Sequence, residues 1–466
     1  MARRVLGEHR MQRLALRSVG LIARLPGGSR IVRAFDFTVG YPELAVSATS
    51  GIKYPSPVGV ILEDQPPGVE KALLAMGFGF AGPAYTFAPD IVRTHTTDLG
   101  EILKLLDSGV PLVAANEAVL VHGPGVARRI NETLIARGHS TNPAPSAFNW
   151  KFWNWPGWVW ALWLGIAMMC AGLGAAAITV GPVLLPYDVS FLDTNRSGLE
   201  AINVRLVQFL QHDRITMAGC MAAIGCNDIG FALAMRRGWR WAKFGFGVAG
   251  AVGFPTFFLF LGYGFFDPLH FAVAGGFFPL YLLALVRPEV PPTWTASVAE
   301  NEPARRRAVV GQSLMISVSL GVIAAGVVIM TIGLRDVLIP SDRVYLGASQ
   351  SYFRQQLDGR LLRFVAHDRA GFGGALTSLG VGSLTLSMWG WRAGERSTWW
   401  CTFLATLFGF GPALAIHGAI GYTDALHLLP AYLGLAMVGL ALLLSRESAN
   451  AISGRSASPG ADASDR

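Results

Sequence analysis

Apolar residues are spaced unevenly along the 466-residue chain, and the spacing divides it near residue 150. Before that point charges interrupt short apolar runs. Val46–Lys53 and Val58–Leu62 read as strands around a turn at Pro55–Pro57. Val69–Met76 reads as a short helix, and Gly79–Ala81 enters a strand. A helix over Asp98–Leu106, a strand over Val110–Ala115 and a helix over Gly125–Arg137 follow. Alternation of this kind implies a small α/β domain with parallel strands. It occupies 1–139, and a Pro- and Trp-rich linker follows at 140–156.

Beyond the linker the apolar runs become long enough to cross a bilayer, which takes about 20 mostly apolar residues. Eight such stretches are predicted, at 157–182, 215–235, 244–263, 269–286, 309–332, 370–390, 398–418 and 424–444. Trp150, Trp153, Trp155, Trp158, Trp160 and Trp163 crowd the entry to the first, as an interfacial aromatic belt would. The tail 446–466, rich in Ser, Ala and Gly, is expected to be disordered.

Part of the polar pattern occurs twice. Val204-Arg-Leu-Val-Gln-Phe-Leu-Gln-His-Asp-Arg214 matches Gly359-Arg-Leu-Leu-Arg-Phe-Val-Ala-His-Asp-Arg369. Upstream, Pro186–Leu192 matches Pro340–Leu346; downstream, Gly264–His270 matches Gly421–His427 and Pro255 falls on Pro412. The expected fold class is therefore an α-helical multipass membrane protein of about eight spans with a small N-terminal α/β domain. Its membrane part is two parallel four-helix repeats, 157–288 and 309–445, joined by a cytoplasmic loop at 289–308. Four spans return the chain to its starting side, so the repeats relate by a twofold along the membrane normal, without inversion. Arg205, Leu206, Phe209 and Leu210, with Arg360, Leu361, Phe364 and Val365, suggest amphipathic helices lying on the outer surface.

Composition agrees. The chain is 52% hydrophobic and 15% charged, against roughly 25% charged in soluble proteins. The net charge of +8 is the Lys/Arg excess of a membrane topology signal and implies no nucleic-acid partner. Residues 1–155 hold 16 of the 38 Lys and Arg, which places both termini in the cytoplasm of a cell-membrane protein. Arginines spread from Arg3 to Arg24 leave no apolar core for a signal peptide and give a basic helix suited to an anionic leaflet or to packing on its own domain. Cys170, Cys220, Cys226 and Cys401 have neither disulfide nor zinc spacing.

Candidate chemistry lies in the repeated polar motifs, His212-Asp213-Arg214 and His367-Asp368-Arg369, and Asp267 with His270 and Asp424 with His427. All fall at the outer interface, close enough in depth to meet. An Asp at a helix start caps free N–H groups; a His beside a carboxylate can relay protons, hold a quinone oxygen or bind a metal. Motif spacing alone assigns no metal site and no catalytic residue. Asn227 and Asp228, inside the second span, and His417, in the seventh, are intramembrane polar residues without counterparts in the other repeat. An acid at that depth faces a partner or a wet cavity.

One family resemblance covers about residues 10–90. Leu14–Pro26 resembles the N-terminal helix of the membrane-associated, quinone-linked dihydroorotate dehydrogenases. Gly51-Ile-Lys-Tyr-Pro-Ser-Pro-Val-Gly59 looks like that family's opening strand, and Leu73-Leu-Ala-Met-Gly-Phe-Gly-Phe80 with Gly82 like its next helix and strand. The resemblance implies FMN, a quinone partner and oxidoreductase activity. Yet Pro66 stands where the family has its flavin lysine, and an eight-fold barrel needs at least about 200 residues. The expectation is a truncated, non-catalytic domain with no established cofactor. Alternatives are a flavin- and quinone-linked oxidoreductase completed by a partner or a second copy in a homo-oligomer, and a transporter or proton path centred on Asp228.

Overall fold

The structure, a computed structural model, describes residues 8–38, 40–48, 50–62, 68–83, 91–123, 125–138, 151–291, 293 and 302–451. Most of the 140–156 linker, Trp150, Pro66 and the tail beyond 451 lie outside the described residues. Two compact units result, one from the front of the chain and one from the apolar remainder.

In the front unit, helices α1 (Glu8–Arg24) and α2 (Gly28–Asp36) form a hairpin that turns at Gly27, where φ is +75°. Its inner face packs Ala23 and Val32 against Ala72 and Ala75 of α3 (Val69–Ala75). Its outer face presents Leu21, Leu25, Ile31 and Phe35 among arginines. Strands β1 (Val46–Ser47) and β2 (Lys53–Tyr54) pair antiparallel. Strands β3 (Val58–Ile61), β4 (Ala81–Gly82), β5 (Ile91–Arg93) and β6 (Leu112–Ala114) form a parallel sheet in the order β4-β3-β6-β5. Helices α4 (Leu99–Asp107), α5 (Asn116–His122) and α6 (Val126–Gly138) complete the unit around a core that includes Val58, Leu73, Ile102, Val113 and Ile130.

The α/β alternation and the parallel sheet are as expected. The single strand over Val46–Lys53 is not. Gly51 takes φ +82° and folds that segment into the β1–β2 hairpin, with Ala48 N–H donating to Ile52 O. Strand β5 and helix α5 were not predicted, because neither carries enough apolar periodicity to announce itself.

The second unit is helical. Among the described residues six helices are long and apolar enough to cross a membrane: α7 (Gly157–Val180), α10 (Leu206–Arg236), α12 (Pro268–Val286), α13 (Glu302–Leu334), α17 (Arg396–Ile420) and α18 (Ala425–Ala449). These make it a multipass membrane protein. The other two predicted stretches are helical as well, α11 (Arg240–Phe257) and α16 (Arg360–Trp389). Short helices fill the two long connections, α8 (Pro186–Leu192) and α9 (Arg196–Ile202) in one, α14 (Pro340–Leu346) and α15 (Gln350–Gln355) in the other.

Helix α10 is central. Of its most apolar window 78% is buried, against 6–28% in the other five, whose flanks are therefore left for lipid. The surface helices expected over 204–214 and 359–369 do not form separately. No Gly or Pro falls between Leu206 and Gly219, so α10 runs unbroken, and Leu206, Phe209 and Leu210 are buried in its first turns. Helix α16 takes up Leu361, Phe364 and Val365 in the same way. Of the expected tryptophan belt, Trp158 and Trp160 are buried, and Trp163 is exposed as lipid anchoring requires.

Small residues set the closest helix approaches. A Cβ on Gly225 of α10 would stand 2.6 Å from the Gly165 carbonyl oxygen of α7, and one on Gly373 of α16 would stand 2.3 Å from Met330 N of α13. Backbones in lipid associate by such packing. Gly225→Ala and Gly373→Ala are expected to lower stability by about 1–3 kcal/mol through overpacking. Gly174→Ala, with nothing within 4 Å, should stay within about 0.5 kcal/mol of wild type. Thermal melts of the detergent-purified protein read the difference, and equal melting of all three variants would refute the packing argument.

Candidate functional site

The two long connections fold alike. In α8 the N–H of Leu185 donates to Asp188 Oδ2 at 2.9 Å; in α14 that of Ile339 donates to Asp342 Oδ2 at 2.8 Å. Both aspartates are buried. Each connection also holds a valine in the left-handed region, Val183 at φ +67° and Val337 at +58°. A β-branched residue there is strained, and the arginines of the His-Asp-Arg motifs bridge the strained carbonyl and the aspartate. Arg214 Nη1 donates to Val183 O at 2.7 Å and to Asp188 Oδ2 at 3.0 Å. Arg369 Nη1 donates to Val337 O and to Asp342 Oδ2, each at 2.6 Å.

The same arginines then cross between α10 and α16. Arg214 Nε donates to Asp368 Oδ2 at 2.9 Å, and Arg369 Nε to Asp213 Oδ2 at 3.2 Å. Neither pairs with the aspartate beside it in sequence. Stacking crosses as well: the Arg214 guanidinium lies over Phe364, the Arg369 guanidinium over Phe209. Burial pushes the Asp188 carboxyl above its ordinary value, with Arg214 and the Leu185 N–H pulling the other way. Burial and the neighbouring Asp342 raise the Tyr422 phenol, which keeps it a donor, and it donates to Asp342 Oδ1 at 2.8 Å.

The free side of each crossed carboxylate faces a histidine. His367 Nδ1 lies 2.9 Å from Asp368 Oδ1, and His212 Nδ1 lies 3.3 Å from Asp213 Oδ1. Each of these histidines also belongs to a three-residue cluster. His212 meets His417 and His427; His367 meets Asp267 and His270; within each cluster the ligating atoms lie within 4.8 Å of one another. His417 Nδ1 donates to Ala413 O at 2.6 Å, since a carbonyl only accepts. The Nε2 lone pair of His417 therefore points at His427 Nε2, 3.1 Å away. Tyr422 stacks on the His427 ring at a centroid distance of 4.8 Å.

Each cluster thus joins a histidine from the start of one long helix to the Asp-x-x-His motif of the other half of the chain. The capping reading also holds for two residues: Asp267 accepts from the His270 N–H at 2.9 Å and Asp424 from the His427 N–H at 2.7 Å. In the first cluster His417 stands where the second uses a carboxylate. Asp228 is not part of either cluster. It lies sixteen residues beyond His212 on α10, about 24 Å along the helix, while Asn227 Nδ2 donates to Ser383 Oγ at 3.0 Å. In the front unit His122 Nε2 bonds to Thr97 O at 2.8 Å.

Three potential ligands on one cluster, with His367 Nδ1 held by a carboxylate and His417 Nδ1 by a carbonyl, suit a first-row transition metal. Two imidazole nitrogens bound to one tetrahedral ion at about 2.0–2.1 Å each stand about 3.3 Å apart, close to the spacing of the His417–His427 pair. Sequence reasoning missed Asp188, Asp342 and Tyr422, although the matched Pro186-Tyr-Asp and Pro340-Ser-Asp carried a signal for the first two. It also assigned no metal, because no cluster draws its ligands from a single stretch of sequence. The chain matches no protein family, and no curated protein or solved structure matches it.

Breaking a crossed pair leaves buried carboxylates without their cation, a loss of about 3–5 kcal/mol. Arg369→Met is therefore expected to destabilise the purified protein by that order, and adding Asp213→Asn to recover part of it. An Arg369→Met protein that melts with wild type would sink the network as a structural element.

Proposed function

We propose that this chain is an integral membrane metalloprotein with two three-ligand metal sites at one end of its bundle. His212, His417 and His427 would hold one ion; Asp267, His270 and His367 would hold the other. The observation that carries the reading is the 3.1 Å approach of His417 Nε2 to His427 Nε2, with His417 Nδ1 turned to the Ala413 carbonyl. Arg214 and Arg369 bring two positive charges to the four carboxylates of Asp188, Asp213, Asp342 and Asp368. A three-ligand ion keeps a coordination position for water or substrate, as a Lewis acid or redox centre requires. The protein's own share is to hold the His367 ring by a carboxylate and the His417 ring by a carbonyl, and to place aromatic rings of Phe209, Phe265 and Tyr422 against the histidines.

The reading extends to architecture. The helical part is a tandem duplication of four-span units, eight spans in all, related by a twofold along the membrane normal. The crossed ion pairs support this, because each bond in one half has a partner in the other. The basic loop Arg236–Lys243 then faces the cytoplasm with both termini, and the clusters face outward. The front domain is a non-catalytic relative of the dihydroorotate dehydrogenase type. Its sheet order supports the non-catalytic part, since a β/α barrel lays its strands side by side in chain order, and β3 here lies between β4 and β6.

Metal analysis of the purified full-length protein is the test. Up to two equivalents of a first-row metal are expected; His427→Ala should lose one and His367→Ala the other, each with unchanged membrane yield. Protein free of metal after purification and reloading without chelators would overturn the reading and leave the His417–His427 pair as a proton relay. For the topology, a reporter fused after Arg240 should read cytoplasmic, and one fused within 190–200 should read external. The reverse pattern would reject the orientation.

A further inference from the structure

Asp228 lies outside both clusters, and its surroundings are of a different kind. Eight residues separate it from Arg236 at the end of α10, about 12 Å at 1.5 Å per residue. That depth is well inside a hydrocarbon core of about 30 Å. Its side chain is buried, 7% exposed, and lines a cavity of about 30 Å³ between α7, α10, α11, α12 and α16. The other polar groups of this cavity are satisfied by neighbours. Asn227 donates to Ser383, Ser378 Oγ donates to Ala249 O at 2.9 Å, and the Tyr281 hydroxyl donates to Gly247 O at 2.6 Å. Among the described residues Asp228 has no hydrogen bond and no ion pair.

The elements packed around it offer no countercharge. Leu164 and Met168 face the cavity from α7, Phe246 and Phe254 from α11, and Leu379 with Ser378 from α16. Tyr281 on α12 is the one other titratable group lining it, and its hydroxyl is already engaged. No Lys, Arg or His lines the space. An ionised carboxylate without a partner at this depth is costly. Ions such as sodium need a shell of five or more oxygens, which an aromatic and aliphatic wall does not supply. The cavity is nevertheless large enough for water, which requires about 10–15 Å³ and polar partners. Asp228 and the carbonyl end of Asn227 are such partners.

We propose that Asp228 is a proton-binding site in the membrane interior, served by water in the cavity beside it. The proton neutralises the carboxyl in the resting protein, and the water lets it exchange. The site is separate from the metal clusters, so it stands or falls without them. Its second-half counterpart is Ser383, so the duplicated unit carries it once.

The test uses the full-length protein in nanodiscs and two readouts. The infrared difference between wild type and Asp228→Asn should contain the carbonyl band of a protonated carboxylic acid at neutral pH, fading in wild type as pH rises. Dicyclohexylcarbodiimide, which adds to protonated carboxyls in apolar surroundings, should label Asp228, as read by peptide mass spectrometry. Labelling should fall at least tenfold in Asp228→Asn and return in Asp228→Glu. Asp228→Asn should keep wild-type yield and metal content, because the acid holds no partner in the fold. A carboxylate band in place of the protonated one at neutral pH would overturn the proposal. So would protection of the label by sodium at constant pH, which would make the occupant a metal cation.

Discussion

The crossed pairing of Arg214 with Asp368 and Arg369 with Asp213 is the interaction on which the rest of the membrane unit depends. It is made inside the ends of two long helices, where a lone charge would be untenable. Each arginine is held at three points: the strained valine carbonyl, the capping aspartate of the short helix, and the aspartate of the opposite long helix. The bond to the valine compensates a left-handed backbone that such a residue avoids on its own. The short helices are thereby locked to the long ones, and α10 is locked to α16. Remove either guanidinium and the connection, the helix pair and the orientation of the adjacent histidine lose a common support.

The same pairing links architecture to chemistry. Asp368 divides its oxygens between Arg214 of the opposite helix and His367, which precedes it in sequence, and Asp213 accepts from Arg369 with His212 Nδ1 3.3 Å from its other oxygen. A carboxylate that an arginine holds in place holds an imidazole in place in turn. The orientation of the His367 ring is therefore inherited from helix pairing, and it cannot be displaced without displacing the bundle. This coupling favours precise geometry over adaptability, which suits a ligand that tolerates little error in distance.

Much of the fold was legible in the sequence, because lipid imposes a simple length rule. The predicted apolar stretches each coincide with a helix, and the α/β alternation before residue 139 gave the parallel sheet. What the pattern hid was continuity. His212, Asp213 and Arg214 look like the polar edge of a surface helix, since a charge triplet seldom sits inside a span. Only their partners, more than 150 residues away, make it possible for α10 to begin at Leu206. The candidate site was legible residue by residue but not as a set. The repeated His-Asp-Arg and Asp-x-x-His motifs named nearly every participant. Periodicity placed them at one depth, yet it carried no information on which histidine meets which motif, because the pairing runs between the halves. Asp188 and Asp342 were overlooked for a related reason: each reads as a loop acid until the arginine that needs it is found.

Matched halves also make the differences between them informative. Five of the six cluster residues have a matched counterpart: His212 and His367, His270 and His427, and Asp267 with Asp424. The sixth, His417, has none. The first cluster is all imidazole, which favours borderline-soft ions, while the second includes a hard oxygen donor. The two clusters thus present unequal donor sets. Asp424, the counterpart of Asp267, caps α18 as Asp267 caps α12. The helix interior is unequal too, with Asp228 opposite Ser383. Helix starts, arginine bridges and glycine contacts, which the bundle needs in both halves, are kept twice. His417 and Asp228 are not. Neither takes part in the crossed bridges, and a buried polar group that those bridges do not use has to be explained by something other than packing.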